Sequence, residues 1–228
     1  MSSKLLKNKQ GQSLGKKGHA TRERLLNAAE RLIKKHSPVD LTAVAIAKEA
    51  KSSSATFYMY FDDVREVLFA LSQESGNEVV TALEALESSL TQMEISEAAK
   101  QFVSVFNEVW DRHRHILMYR NLEADRGDSK FEKLRMEEYI REVEVLGRWV
   151  RAAASESEKP TKSDAFSLAT VLHAAIERLA STDPQAVVKG IGKERLVAAQ
   201  TRVISQVITD TVAWGKLPLK GNTKIRTK

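Results

Sequence analysis

Proline and glycine are placed so sparsely in this chain that most of it has no means of turning sharply. Of the 228 residues, prolines stand only at positions 38, 160, 184 and 218, and between residues 19 and 189 the only glycines are Gly76, Gly127 and Gly147. Tight hairpins draw on glycine and asparagine-glycine pairs. No stretch alternates apolar and polar residues between turn signals, whereas apolar residues recur at helical spacing throughout. The chain is therefore read as all-α.

The pattern predicts a first helix after Thr21, carrying Leu25, Leu26, Ala28, Ala29, Leu32 and Ile33 on one face and ending before Pro38. Two short helices follow, from Thr42 to about Ala50 and from about Ser54 to Phe61. Asp62-Asp63 then caps a long helix with Val64, Val67, Leu68 and Leu71. Beyond Leu90 the expected helices cover about 96–112, 115–123, 129–155, 163–181 and 193–214. Phe131, Leu134, Ile140, Val143 and Val150 are expected to face inward, and residues 183–192 are expected to form a connection.

Charge divides the chain more sharply than its total of +6 indicates. Residues 1–24 hold Lys4, Lys7, Lys9, Lys16, Lys17, Arg22 and Arg24 against Glu23, and residues 216–228 hold five cations and no acid. The body between is mildly acidic. Basic ends on such a body fit a polyanionic partner, nucleic acid or an anionic membrane, or are simply solvated. No apolar run is long enough to span a bilayer, and the basic start has no secretory core. The chain has no cysteine, which excludes a disulfide scaffold, a thiolate metal site and a cysteine nucleophile. A cytoplasmic location is expected.

The two short helices at 42–61 have helix-turn-helix proportions, in which the second helix enters the major groove. Val44, Ile46, Ala47 and Ala50 let the helices pack closely, Phe57 and Phe61 anchor the second, and Ser53, Ser54, Thr56, Tyr58 and Tyr60 supply hydroxyls for phosphates or base edges. An ordinary helical hairpin with polar residues outward has the same pattern. Residues 25–70 have no net charge, so long-range attraction for DNA falls to the arm before them, where Lys16 and Lys17 can track phosphates.

The stretch from Thr21 to Leu71 resembles the DNA-binding domain of the TetR family of bacterial transcriptional regulators, through Ala28-Ala29, Leu41-Thr42, Ile46-Ala47 and Thr56-Phe57-Tyr58-Met59-Tyr60-Phe61 before an acid-capped helix. The resemblance implies a basic arm over 1–20, a three-helix DNA-binding domain over 21–66, a helical ligand-binding and dimerisation domain over 67–215, and a basic tail over 216–228. It implies that Ser54, Ala55, Thr56 and Tyr60 read bases and that Thr42, Ser53 and Tyr58 reach phosphates. Ala43, Val44, Met59 and Arg22 would share that surface. It further implies a homodimeric repressor, paired through helices at about 164–181 and 194–214, that leaves a palindromic operator when a small-molecule effector binds; no cofactor is implied. Three positions depart from the family pattern. Lys51 stands where a glycine usually ends the scanning helix, and it would have to adopt a left-handed conformation. Ser37-Pro38-Val39 replaces a glycine-aromatic pair, and Val64 replaces a phosphate-binding lysine.

For the effector, Phe106, Trp110, Tyr119, Met136, Tyr139 and His173 are the candidate lining, an apolar set with polar handles, although each also suits a core position. Arg120 and Arg178 are expected in surface ion pairs. His113 and His115, two residues apart, fall on different helix faces and make a poor metal pair. Neither GxSxG nor HExxH occurs, and the carboxylates sit on charged faces where solvation is the default, so no enzyme is indicated. The alternative is a helical interaction module whose basic ends lie on an anionic membrane; the arm's only apolar anchors, Leu5, Leu6 and Leu14, are too few for a strong amphipathic helix.

Overall fold

A computed structural model describes residues 15–154, 159–182 and 184–214. Among these every regular element is helical: α1 (Lys16–Ile33), a single 3-10 turn (Pro38–Asp40), α2 (Ala43–Glu49), α3 (Ser54–Tyr58), α4 (Val64–Leu90), α5 (Ile95–Asp125), α6 (Ser129–Ala153), α7 (Lys162–Ala180), α8 (Pro184–Gly190) and α9 (Lys193–Trp214). Lys4, Lys7 and Lys9 of the arm and the basic tail 216–228 lie outside the described residues.

Two compact units are present: Met1–Ala82 with Glu108–Ile140, and Leu83–Asn107 with Arg141–Lys228. In the first, Leu25, Leu26, Ala28, Ala29 and Ile33 of α1 pack with Ile46 and Ala47 of α2, Phe57, Phe61, Val67, Leu68 and Phe131. In the second, Phe102 stacks on Trp149 at 5.9 Å between ring centres, and Phe106 meets the His173 ring edge to face at 5.8 Å.

Local chemistry sets most helix ends. Thr42 Oγ1 accepts from Ala45 N–H at 3.1 Å, Ser53 Oγ from Thr56 N–H at 3.1 Å and Asp63 Oδ1 from Glu66 N–H at 2.8 Å. Each supplies a partner for a first-turn N–H that the helix cannot satisfy itself. At the end of α2, Ser52 N–H donates to Ala47 C=O and Lys51 N–H to Lys48 C=O, the paired bonds of a Schellman ending. That ending needs a left-handed residue, and Lys51 takes it with φ of 54°, the one positive-φ non-glycine among the described residues. Lys51→Gly is therefore expected to raise stability by about 0.5–1 kcal/mol, read as a higher thermal midpoint; a lower midpoint contradicts the assigned strain.

Several expectations are corrected. The first helix begins at Lys16, not after Thr21, whose hydroxyl instead donates to Lys17 C=O one turn back. The break expected near residues 113–115 is absent and α5 is continuous, because no proline or glycine interrupts it; His113 lies against α4, 2.8 Å from Glu78 Oε2. Residues 184–190 form α8, started by Pro184, whose fixed φ suits the first helical position. Thr161, rather than Ser163 or Asp164, caps α7.

On α6 four of the five residues expected inward, Phe131, Leu134, Val143 and Val150, are buried, and Ile140 alone of the five is turned out. Phe131, Leu134, Glu138, Glu142, Val145 and Trp149 are buried, while Met136 and Ile140 are 47% and 41% exposed. The core-facing row thus includes two carboxylates. Glu138 is paired with Arg120, which is buried and not on the surface as expected. Glu142 Oε2 lies 2.5 Å from His173 Nε2.

Candidate nucleic-acid interface

The reading head is built from α1, α2 and α3. Arg31 Nε donates to Glu49 Oε1 at 2.7 Å and ties α1 to α2; this bond holds the Glu49 carboxyl below its ordinary range. Ile46, Ala47 and Ala50 press the inner face of α2 into the core, leaving Val44 64% exposed. Phe57 is fully buried and contacts Phe61 at 5.8 Å and Tyr58 edge to face at 5.3 Å. Anchored this way, α3 turns Ala55, Tyr58 and Met59 outward, with Ser54, Thr56 and Tyr60 half-buried.

The capping bonds refine what two of the hydroxyls can offer. Thr42 and Ser53 are exposed, but their oxygens already accept from the backbone. Their remaining capacity toward a phosphate is donation of the O–H proton, in a direction the cap holds still. Ser53 Oγ and Thr56 Oγ1 also lie 2.9 Å apart and share one hydrogen bond, so Thr56 keeps its methyl and one further hydroxyl function for a base edge. Tyr58 is free of such duties on the outside of α3 and is 55% exposed. Tyr60, by contrast, packs against the core.

Other expected contact residues lie elsewhere. The Ala43 side chain is buried in the core, so only its backbone is near the surface. Arg22 is drawn inward: its guanidinium sits 5.3 Å over the Phe61 ring and pairs with Glu74 at 3.5 Å. Lys16 and Lys17 are exposed on the first turn of α1, which holds no acidic residue. Lys48 and Lys51 are also exposed, at the end of α2 and in the turn before α3. Both were missed in favour of the hydroxyl positions, although two cations three residues apart beside the turn were a legible signal.

Arg65, the cation next to Val64, faces away from this task. It pairs with Glu123 at 2.8 Å and with Asp128, and it covers the Phe131 ring at 5.7 Å. Asp128 also caps α6, accepting from Phe131 N–H at 3.1 Å and Lys130 N–H at 2.9 Å. The Phe131 amide, then that of Lys130 and Arg65, hold its carboxyl below the ordinary 3.8. A depressed folded-state value means that this stabilisation is complete above about pH 4 and is lost as pH falls through the folded value. Asp128→Asn should therefore flatten the acid limb of the stability profile below about pH 4. Parallel wild-type and variant curves from pH 2 to 6 in urea unfolding would contradict this.

The six candidate ligand residues fall in both units. Phe106 and His173 are buried together in the second. Of the four in the first, Trp110 and Tyr119 are buried, burial pushing the Tyr119 phenol above its usual range, while Tyr139 is half-buried and Met136 exposed. Met136 stands on the outer row of α6, where it adds nothing to an enclosed site.

Comparison with known proteins bears on this geometry. Residues 25–71 match the family model of bacterial regulatory proteins, tetR family. No curated protein sequence matches the chain. Among solved structures, the fatty acid degradation regulator FadR from Bacillus halodurans is 16% identical with a TM-score of 0.60, over 86% of this chain and 96% of that one. A TetR-family transcriptional regulator from Mesorhizobium loti is 15% identical with a TM-score of 0.62, over 86% and 96%. Thermus thermophilus FadR, a transcriptional repressor in complex with lauroyl-CoA, is 18% identical with a TM-score of 0.57, over 83% and 94%. At these identities the structural likeness speaks for the fold, while the matched segment coincides with the capped helices of the reading head. Residues 25–71 accordingly resemble the DNA-binding segment of the tetR family of bacterial regulatory proteins, and the chain shares the all-helical fold of these structures.

Proposed function

We propose that the protein is a ligand-responsive repressor that grips an inverted-repeat operator as a homodimer. The observation that carries the DNA reading is α3 itself: buried Phe57 holds it, Ser53 caps it, and Ala55, Tyr58 and Met59 are presented outward with Thr56 half-buried beside them. No helix among the described residues is long and apolar enough to cross a membrane.

The dimer reading rests on α7 and α9 of the second unit. Val171 and Val203 are 68% and 55% exposed, and an apolar hollow of about 160 Å³ lies between the helices, lined by Leu172, Ala175, Ile176, Leu196 and Val203. Ile204 and Ile208 face their own core, so a charge there disrupts folding and says nothing of pairing. Val203→Glu is the discriminating change. A closed two-fold pair would present two heads to two half-sites.

An acyl chain is the effector class we favour, because a fold neighbour carries lauroyl-CoA and this chain buries an aromatic set in its helical body. Fragments selected from genomic DNA supply the operator for an anisotropy assay. Lauroyl-CoA is expected to weaken operator binding by about 5–150-fold, the usual range of coupling between sites. Sedimentation of wild type and Val203→Glu should give dimer and monomer. A wild-type monomer at micromolar concentration, or an operator affinity indifferent to acyl-CoA of every chain length, would remove the corresponding part of the proposal.

A further inference from the structure

The cations of the reading head are committed unevenly. Of those in residues 25–70, Arg31 is paired with Glu49, Lys34 with Glu30, and Arg65 with Glu123 and Asp128. Beside the Arg31 bond, the charge of Lys35 acts on the same Glu49 carboxyl. Lys48 and Lys51 are exposed and have no ion-pair partner among the described residues. Lys51 N–H donates to Lys48 C=O at 3.0 Å, so both side chains spring from one closed turn. Lys51 stands two residues before Ser53, the cap of α3, and is within about 7 Å of it along the chain. The far end of α3 has the opposite character. Asp62 and Asp63 are exposed there, Val64 opens α4, and Arg65 is turned to its own acids.

The backbone of Lys51 supplies a second observation. Its φ of 54° is the left-handed conformation that glycine and asparagine adopt at less cost. Such conformations persist where the surrounding structure enforces them, and they gather at ligand-binding positions. An exposed ammonium on a strained residue, with no acid of its own to pair with, fits a contact made only in a complex.

We propose that Lys48 and Lys51 hold the phosphates of one DNA strand at the α2–α3 turn, and that the head makes no such contact at the start of α4. The proposal rests on the DNA reading given above and adds where the strand is gripped. Phosphate oxygens accept from both ammonium groups at the turn, whereas Asp62 and Asp63 repel them at the other end. The contact is blind to sequence, so it sets affinity and register and leaves base choice to α3.

Binding of a random-sequence duplex and of the operator fragment selected from genomic DNA is followed by anisotropy across a salt series. Lys48→Gln and Lys51→Asn should each weaken both DNAs by about tenfold at low salt, the effect of losing one charged hydrogen bond. Each should also flatten the slope of log K against log salt by about 0.9. Asparagine tolerates the left-handed turn, so Lys51→Asn should keep the wild-type circular dichroism and a thermal midpoint no lower than wild type. Lys51→Arg, which retains the charge, should keep the wild-type slope. Lys162→Gln removes the same charge from an exposed position of the second unit and should change neither affinity nor slope; an equal loss there would mean that net charge alone acts, against the proposal. Wild-type affinity and slope in either lysine variant, with Tyr58→Phe still weakening binding, overturns this proposal and leaves the DNA reading standing. Wild-type protein that binds neither duplex removes both. A loss confined to the selected operator would make the lysines base readers and refute the role assigned to them.

Discussion

Phe57→Ala is expected to abolish operator binding by unfolding the reading head, whereas Tyr58→Phe, one residue away, should weaken binding in a protein as stable as wild type. Phe57 is fully buried with Phe61 and Tyr58 against it. Truncating a buried phenylalanine costs about 3–5 kcal/mol, a large part of the roughly 5–15 kcal/mol that a domain has. Because α3 has five residues, it has too few internal hydrogen bonds to persist without that anchor. Tyr58 is largely exposed, so losing its hydroxyl should change stability by less than about 0.5 kcal/mol. The lost phosphate bond should weaken operator and random DNA alike, by about fivefold. Thermal unfolding with anisotropy on both DNAs separates the two effects. Full operator affinity in Phe57→Ala, or an unaltered affinity in Tyr58→Phe, would refute the assigned roles.

The second large effect is expected at the buried ion pair of the first unit. Arg120 and Glu138 are 4% and 4% exposed and bond directly to each other. Glu138→Ala leaves the guanidinium in the interior with the Asn121 amide oxygen at 3.0 and 3.1 Å as a neutral acceptor. Removing one partner of such a pair costs about 3–5 kcal/mol, yet replacing both with apolar residues is often nearly neutral. The double variant Arg120→Met/Glu138→Met should therefore recover most of what Glu138→Ala loses. Gly76 has a part in this arrangement, since a Cβ there would lie 2.1 Å from the Glu138 carboxyl. Gly76→Ala should destabilise despite the helix propensity that alanine adds, because the carboxyl is displaced from Arg120. Chemical unfolding measures all three. A loss under about 1 kcal/mol in Glu138→Ala would show that the pair is better hydrated than its burial implies.

These sites mark where the reading of the amino acids stopped. Helical period located the inward row of α6 through Phe131, Leu134, Val143 and Val150, but it added apolar Ile140 and left out Glu138 and Glu142, because carboxylates are costly to bury alone. The cost is met by partners on other helices, Arg120 for Glu138 and His173 for Glu142, which no local pattern announces. Arg22 was misjudged for the same reason: expected on the DNA surface, it is taken by Glu74 and the Phe61 ring, both distant in sequence.

What the sequence determined by itself is what acts over three or four residues. The scarcity of proline and glycine dictated helices, and Thr42 and Asp63 announced caps that bind the amide three residues on. Lys51, standing where glycine would be easiest, announced its own left-handed turn. Such signals survive in any fold, because both partners travel together along the chain. Tertiary structure alone decided which charges are buried, which cations remain for a polyanion, and that two carboxylates of α6 point inward. The partners in those decisions lie 18 to 63 residues apart, and a carboxylate becomes a core residue only when packing brings a cation to it.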